Sequence, residues 1–514
     1  MSPVRNAVIH HAYRDSVVLM QISSDLSKRE KVETAAVMMG TPANLQVLKE
    51  SGLLDMPANE VSPDDIILAV SASNDAVAET AIKWGLGVLQ TPTSPKVSNG
   101  VSHTDSLSIR RWSKIPSAYG LALISVPGPY AAAEARKALH SGRHVFLFSD
   151  HVTIEDEVAL KQEALEHALL MMGPECGTSI LSGVPLGFAN QVHAGPIGVV
   201  AASGSGLQEI TCLIDRMGSG ITHAIGTGGR DLSPQVGGLT MLKAIDMLLA
   251  DKATRVLVIL SKPPDPTVAK KIVDRISEVE IPVVLCFLGS SEIHSQISGI
   301  TFVSTLEEAA IAAINAAGVK ASVPEAPKVE VETGPAQAGV IRGLFSGGTL
   351  AYEAMVVLNE MVGPVWSNKP LDEKFMLKGS KLPEANVCLD LGSEEYTAGQ
   401  PHPMINSDTR SQILIEQAGD PHASIFLLDF ILGYGSHPDP TGAMLPAIEQ
   451  ARQIANQNGR KLVFVASVTG TSQDPQSFEK QTKLLTENRV IVAPSNAAAA
   501  RVAAEFLLAR DSHL

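Results

Sequence analysis

Two segments of the 514-residue chain share one design. Residues 197–214, IGVVAASGSGLQEITCLI, run from an apolar stretch through a Ser/Gly turn into a helical pattern. Residues 340–358, VIRGLFSGGTLAYEAMVVL, do the same. An apolar run bounded by glycine reads as a buried strand. Where such a strand turns into a helix, the first N–H groups lack intrahelical acceptors, and the helix dipole adds partial positive charge. Each turn is therefore either a plain helix cap or a cradle for an anion. Ser203, Gly204, Ser205 and Gly206 form the first; Ser346, Gly347, Gly348 and Thr349 form the second. Their recurrence predicts that the two hold one anion, such as phosphate, between them.

Around each cradle the pattern continues in register. After the first, strands are expected at 197–201, 223–225, 255–260, 282–287 and 300–302; after the second, at 340–345, 387–391, 425–431, 461–467 and 490–492. In each series helices separate the strands, and the second strand ends in a Gly-bearing turn, GTGGRD at 226–231 and DLGSEE at 390–395. This is the signature of a repeated flavodoxin-like unit with a parallel sheet. Residues 1–150 alternate as well, with helices expected at 15–31, 45–51, 74–84 and 130–141 and strands at 34–39, 65–71, 121–126 and 144–148. Such short Val/Ile/Leu runs between helices predict a buried parallel sheet. The expected class is α/β: an N-terminal Rossmann-like domain (1–150), then two flavodoxin-like parallel-sheet domains (151–320 and 336–514). A Pro- and Glu-rich linker (321–335) separates those two, and a Ser/Thr/Pro-rich loop is expected at 90–104.

Charge and cysteine usage narrow the function. A net charge of −14 opposes nucleic-acid binding, which needs Lys/Arg surfaces. Cys176, Cys212, Cys286 and Cys388 are scattered, with no CxxC pair, so no metal site is expected. They read as buried thiols in a reducing cytoplasm. The N-terminus MSPVRNAVIHHAYRDS has no apolar signal region. No apolar run reaches the ~20 residues of a membrane span. A cytoplasmic protein is expected, without membrane or nucleic-acid partners.

Several residues could carry chemistry. Arg230 closes the GTGGRD turn behind Gly228 and Gly229, at a strand's carboxyl end, where open α/β sheets bind ligands. It could clamp a carboxylate. Cys176 is either a nucleophile or core packing. His402 and His437, each flanked by proline, are either turn fillers or acid/base groups; Asp390 and Asp429 border apolar strands, where caps are common.

Residues 121–260 resemble the α subunit of succinyl-CoA synthetase and related NDP-forming acyl-CoA synthetases. The carrying segments are 123-LISVPGPYAAAEARKALHSGRHVFLFS-149, 172-MGPECGTSI-180, 198-GVVAASGSGLQE-209 and 224-AIGTGGRD-231. The segments 343-GLFSGGTLAYE-353 and 388-CLDLG-392 resemble the ligase half of that family's β subunit. From end to end, including MMGTPAN at 38–44 and 399-GQPHPMI-405, the chain is similar to the FdrA family.

The resemblance implies a CoA-binding-type domain at the N-terminus and two ligase domains. In the synthetases, two helix starts cradle a phosphohistidine. Here the Gly-His-Ala-Gly loop that carries it is replaced by SSEIHSQISG, and His294 lacks flanking glycines. The glutamate that holds the histidine is replaced by Lys262 in SKPPD, either a solvated residue or a cation for phosphate. Glu175, in GPECG, stands at a turn that borders the synthetase active site. The turn at 40–44, Gly-Thr-Pro-Ala-Asn, lacks the glycines of a dinucleotide loop, which weakens the expectation of CoA. No ATP-grasp module has a counterpart.

The family implies a phosphate-using acyl or carbamoyl transferase acting on a small carboxylate or carbamoyl substrate. More specifically, it implies a component of oxamate carbamoyltransferase in allantoin (purine) breakdown, working in an oligomer with other subunits of that system. The alternatives are an acyl-CoA synthetase subunit with a separate ATP-grasp partner, and a non-catalytic scaffold. Expected catalytic residues are Arg230, Lys262 and Glu175.

Overall fold

The structure is a computed structural model that describes residues 2–511 except 13, 15, 58–59, 91–111, 290–296, 322–324, 328–338, 380 and 398–399. The expected 90–104 loop, most of the linker and His294 fall outside the described residues. The chain forms two compact units. One is residues 1–120 with 125–130 and 397–401; the other is the remainder.

The first unit contains β1 (Val4–Ile9), α1 (Ser16–Ser27), β2 (Val32–Met39), α2 (Pro42–Glu50), β3 (Ile66–Ala72) and α3 (Asp75–Gln90). Its sheet has the order β1-β3-β2 and is antiparallel throughout. This corrects the parallel pairing expected here. The apolar run of β3 arises because both of its faces are covered. Ile66, Leu68 and Val70 pack into a cluster with residues of α1 and α3, while Ile67 and Ala69 pack with Leu45 and Leu48 of α2. Double coverage, not strand direction, produces a continuous apolar strand. β1, unforeseen in the sequence, provides one antiparallel neighbour.

The second unit opens with β4 (Leu121–Ile124), α4 (Gly128–His140), β5 (His144–Leu147), α5 (Ile154–Glu166) and β6 (Met171–Met172), a parallel three-stranded sheet. A hairpin follows, β7 (Thr178–Leu181) and β8 (Val184–Gly187). Next come β9 (Ala194–Ala201), α6 (Gly204–Arg216), β10 (Ile221–Gly226), α7 (Leu239–Ala250), β11 (Val256–Ser261), α8 (Pro266–Ile276), β12 (Val283–Phe287), β13 (Ile300–Val303) and α9 (Leu306–Ala316).

The final stretch is β14 (Val340–Phe345), α10 (Gly348–Val362), β15 (Val387–Asp390), α11 (Glu394–Thr397), α12 (Asp408–Ala418), β16 (Ala423–Ile431), α13 (Pro440–Gln457), β17 (Val463–Thr469), α14 (Phe478–Glu487), β18 (Ile491–Ala493) and α15 (Asn496–Asp511).

The sheet orders reveal the repeat. The first contains β10-β9-β11-β12-β13, extended by the hairpin; the second is β15-β14-β16-β17-β18. Both series are parallel and follow the flavodoxin-like order 2-1-3-4-5. One buried cluster, including Leu207 and Ile210 of α6 and Leu350 and Ala354 of α10, runs through both repeats.

A reciprocal hydrogen-bond exchange joins the repeats. Glu209 on α6 accepts the Asn496 N–H at 3.1 Å, at the start of α15. Glu353 on α10 accepts the Leu306 N–H at 2.6 Å, at the start of α9. Each glutamate lies five residues after its own helix start and caps the last helix of the other repeat. Both are fully buried, and burial pushes both carboxyls up, Glu353 to about 8.

Candidate functional site

The two helix starts meet. Ser203, the N-cap of α6, places Oγ 2.6 Å from Thr349 Oγ1 on α10. Thr349 donates its N–H to Ser205 Oγ at 3.4 Å. A Cβ on Gly347 would stand 2.9 Å from Ser205 Cβ, so glycine is what allows this approach. The convergence arises because β9 and β14 are the first strands of their repeats, each flanked on both sides by later strands. Their carboxyl ends are topological switch points.

The two starts differ in how their amides are used. Ser203 Oγ accepts the Gly206 N–H at 3.0 Å, an ordinary N-cap. Gly347, the N-cap of α10, has no side chain to offer. Asp429, from the neighbouring strand β16, takes its place: its carboxylate accepts the N–H groups of Ser346 and Gly347 at 2.8 Å each, and the Ser346 hydroxyl at 3.0 Å. Arg410 pairs with Asp429 at 3.0 Å, and both are buried. The chain's own carboxylate thus occupies part of the second cradle. Among the described residues, the amides of Gly204, Ser205 and Gly348 have no protein acceptor.

Lys262 and Asp390 flank these helix starts from opposite repeats. Lys262 follows β11 and is half-buried, its Nζ 5.6 Å from the centre of the Tyr352 ring. Burial pushes its ammonium down; Asp390 works against this and Lys369 adds to it. Asp390 ends β15 and is buried. Burial pushes its carboxyl up, and Lys262 pulls it back. A Cβ on Gly348 would overlap the Asp390 carboxylate, so this glycine lets the carboxylate lie across the start of α10. Lys262 is therefore not a solvated loop residue. Sequence reasoning missed its neighbours Tyr352 and Lys369 and gave Asp390 only a capping role. The signal available was the recurrence of a Gly-bearing turn after the second strand of each repeat.

Arg230 and Glu175 sit in a different cluster, at the ends of β10 and β6. Gly228, at φ +89°, comes so close to Pro174 O that a Cβ there would overlap it. Gly229 faces open space. Arg230 donates to Val152 O at 2.8 Å and pairs with Glu157 at 3.0 Å. Lys161 extends the network to Glu157 at 2.9 Å and Asp231 at 2.7 Å. Much of the Arg230 guanidinium is thus bound internally, though its side chain remains 35% exposed. Glu175 stands on the exposed rim of this cluster; desolvation of its carboxyl pushes it up, and Arg230 pulls it back. Cys176 is buried, its thiol pushed up to about 11 and set against the Gly226 carbonyl at 3.4 Å, an environment of core packing.

The two prolyl-flanked histidines line the second repeat. His402 Nδ1 accepts the Met404 N–H at 3.2 Å, which places the proton on Nε2. Burial pushes its imidazole down to about 4, so the ring is neutral near pH 7. His437 accepts the Asp439 N–H at 3.0 Å and lines a depression with Ser346 and Arg410.

Comparison with known proteins places these features in a family. A CoA-ligase model matches residues 344–506, a CoA binding domain model matches 193–289, and a model described as AllF, heavy metal-associated domain, matches 1–103. The chain is 40% identical to the Escherichia coli (strain K12) "Uncharacterized protein YahF" over 512 residues, 98% of each chain. It is 24% identical over 184 residues to the succinate–CoA ligase [ADP-forming] subunit alpha 2 of Archaeoglobus fulgidus, and 25% over 162 residues to the ADP-forming sulfoacetate-CoA ligase subunit SauD of Bilophila wadsworthia. It spans 58% and 54% of those two ligase subunits. No helix of the described residues is long and apolar enough to cross a membrane.

Two groups implied by these families do not fit the residues present. Positions 1–103 contain no cysteine, so thiolate ligation of a heavy metal does not fit there. Asp65 in that unit already accepts the N–H groups of His11 and Ser62, at 2.9 and 2.8 Å. A pyrophosphate does not fit the turn at 40–44: Gly40 packs against Val61 and Ser62, and Thr41 caps α2 through the Asn44 N–H. With its end-to-end identity to YahF and its matches to CoA-binding and CoA-ligase domains, the chain belongs to the FdrA family, within the succinyl-CoA synthetase and NDP-forming acyl-CoA synthetase superfamily.

Proposed function

We propose that the chain is a cytoplasmic enzyme subunit that transfers a carbamoyl or acyl group to phosphate, specifically a component of oxamate carbamoyltransferase in allantoin catabolism. The observation that carries this reading is the meeting of the two helix starts. Their unaccepted amides at Gly204, Ser205 and Gly348 have Lys262 and Asp390 beside them. Amides and an ammonium suit phosphate and the oxyanion that develops at a carbonyl under attack. The match to the AllF model over residues 1–103 supports the allantoin assignment.

In this reading a phosphate oxygen attacks the carbamoyl carbon of oxalurate. The bond from that carbon to the oxamate nitrogen breaks, and the nitrogen takes a proton. Asp390, its carboxyl held up by burial, supplies that proton and recovers one from the phosphate hydroxyl. The products are carbamoyl phosphate and oxamate. Lys262 balances phosphate charge, and the exposed part of Arg230, with Glu175 at its side, receives the substrate carboxylate. Partner subunits and an oligomeric assembly complete the system.

A second reading, an acyl-CoA synthetase subunit acting with a separate ATP-grasp chain, is favoured by the CoA binding domain match at 193–289. The deciding assay is phosphate-dependent cleavage of oxalurate by the purified chain, alone and with the proteins encoded beside its gene. Carbamoyl phosphate should form and require phosphate. Failure in every combination, with CoA rather than phosphate plus oxamate raising the melting temperature, would transfer support to the ligase reading.

A further inference from the structure

We infer a zinc-class divalent metal site on the helix pair α4 and α5, away from the helix-start site and independent of the proposed function. Its donors are His140, Glu163 and His167. α4 ends at His140, and His167 is the C-cap of α5. Glu163 and His167 are four residues apart at the end of one helix and so share a face. His140 Nε2 lies 2.6 Å from Glu163 Oε1, and the two imidazoles meet edge to face with centroids 6.1 Å apart. One donor atom from each of the three lies within 4.8 Å of the others. Two imidazoles and a carboxylate are the protein ligands of three-donor zinc sites, which leave a fourth position for water.

Two observations separate this trio from an ordinary surface ion pair. Glu163 is oriented: Arg136 Nε holds its Oε2 at 3.3 Å, leaving Oε1 to the histidines. Oε1 is buried and, despite its closeness to the His140 ring, receives no aligned hydrogen bond. Moreover, His140 and His167 both stand at helix C-termini. The dipoles of α4 and α5 there present partial negative charge, favourable to a cation. The three ligands would tie the ends of the two helices that flank the three-stranded parallel sheet.

The test is titration of the full chain with Co(II), followed by visible absorbance, and with Zn(II) by calorimetry. One equivalent should bind with the intense d–d bands of low-coordinate cobalt. Zn(II) should displace it. His140→Ala and His167→Ala should each weaken binding by at least about tenfold. Glu163→Gln, which keeps the side-chain shape, should do the same. The residues are near the surface, so circular dichroism of each variant should match the parent. Absence of cobalt bands in the parent protein, or equal affinity in the three variants, overturns the assignment.

Discussion

The two helix starts share a backbone plan and solve the same electrostatic problem differently. At the first, Ser203 satisfies one amide and the neighbouring strand contributes Leu260, which pairs with Ala201. At the second, the N-cap is a glycine, and the strand beside it contributes Asp429, the next residue after Leu428, which pairs with Leu344. The repeat thus carries an apolar residue on one side and a carboxylate on the other at corresponding places. Asp429 neutralises two amides of the second start and leaves that of Gly348 open, whereas the first start keeps those of Gly204 and Ser205 open. A duplicated fold need not give two equivalent anion sites. One half can act as the rigid abutment on which the other works.

The largest test of this asymmetry is Asp429→Ala. It leaves Arg410 buried without its partner and two amides without an acceptor, so destabilisation of about 3–5 kcal/mol is expected in urea unfolding. A change below about 1 kcal/mol would show that Asp429 is not the anchor of the second start.

The reciprocal caps provide the next test. Glu353 holds a proton in the fold up to about pH 8, whereas the unfolded carboxyl releases it near 4.5. Between those values the folded state binds more protons, so stability should fall as pH rises through that window and level off above it. Glu353→Gln removes this term. The melting-temperature difference, wild type minus variant, should become more negative from about pH 5 to 8. A flat difference would show that the glutamate stays ionised.

Lys262 sharpens the functional half of the comparison. Lys262→Gln should weaken phosphate binding about tenfold, the loss of one charge-assisted hydrogen bond, while unfolding remains cooperative. Its ammonium is held below the ordinary lysine value. Phosphate affinity in the wild type should therefore decline at lower pH than an exposed lysine would dictate. Ser203→Ala comes next in size. Loss of the cap and of the Thr349 contact should cost about 1 kcal/mol. The smallest expected effect is at Cys176: with its thiol pushed up to about 11 and buried, iodoacetamide at pH 8 should leave it unmodified in the native protein.

The sequence carried a large part of the architecture. The strands of each repeat were legible as short Val/Ile/Leu runs, because a parallel strand covered on both faces has no polar side to show. The hairpin β7–β8 and strand β1 were not legible. β8, Val184–Gly187, is four residues long with proline and glycine within it, and the adjacent polar pair Arg5 and Asn6 leaves β1 an apolar run of only three residues, Ala7, Val8 and Ile9. The antiparallel first sheet was hidden for a related reason, since coverage of β3 on both faces imitates a parallel strand.

At the candidate site, the strand–Ser/Gly–helix turns were visible in the chain, and so was the replacement of glutamate by Lys262 relative to the family pattern. What each residue faces was not. Asp429 lies 83 positions from Ser346, and Ser203 lies 146 from Thr349, so only sheet order could bring them together. Local rules determined that two helix starts would exist, because the residues that make a turn and a cap are neighbours in the chain. The tertiary structure decided which amides of each start would be neutralised and which would stay open. That choice depends on the side chain offered by an adjacent strand, and strand adjacency follows from packing many residues apart.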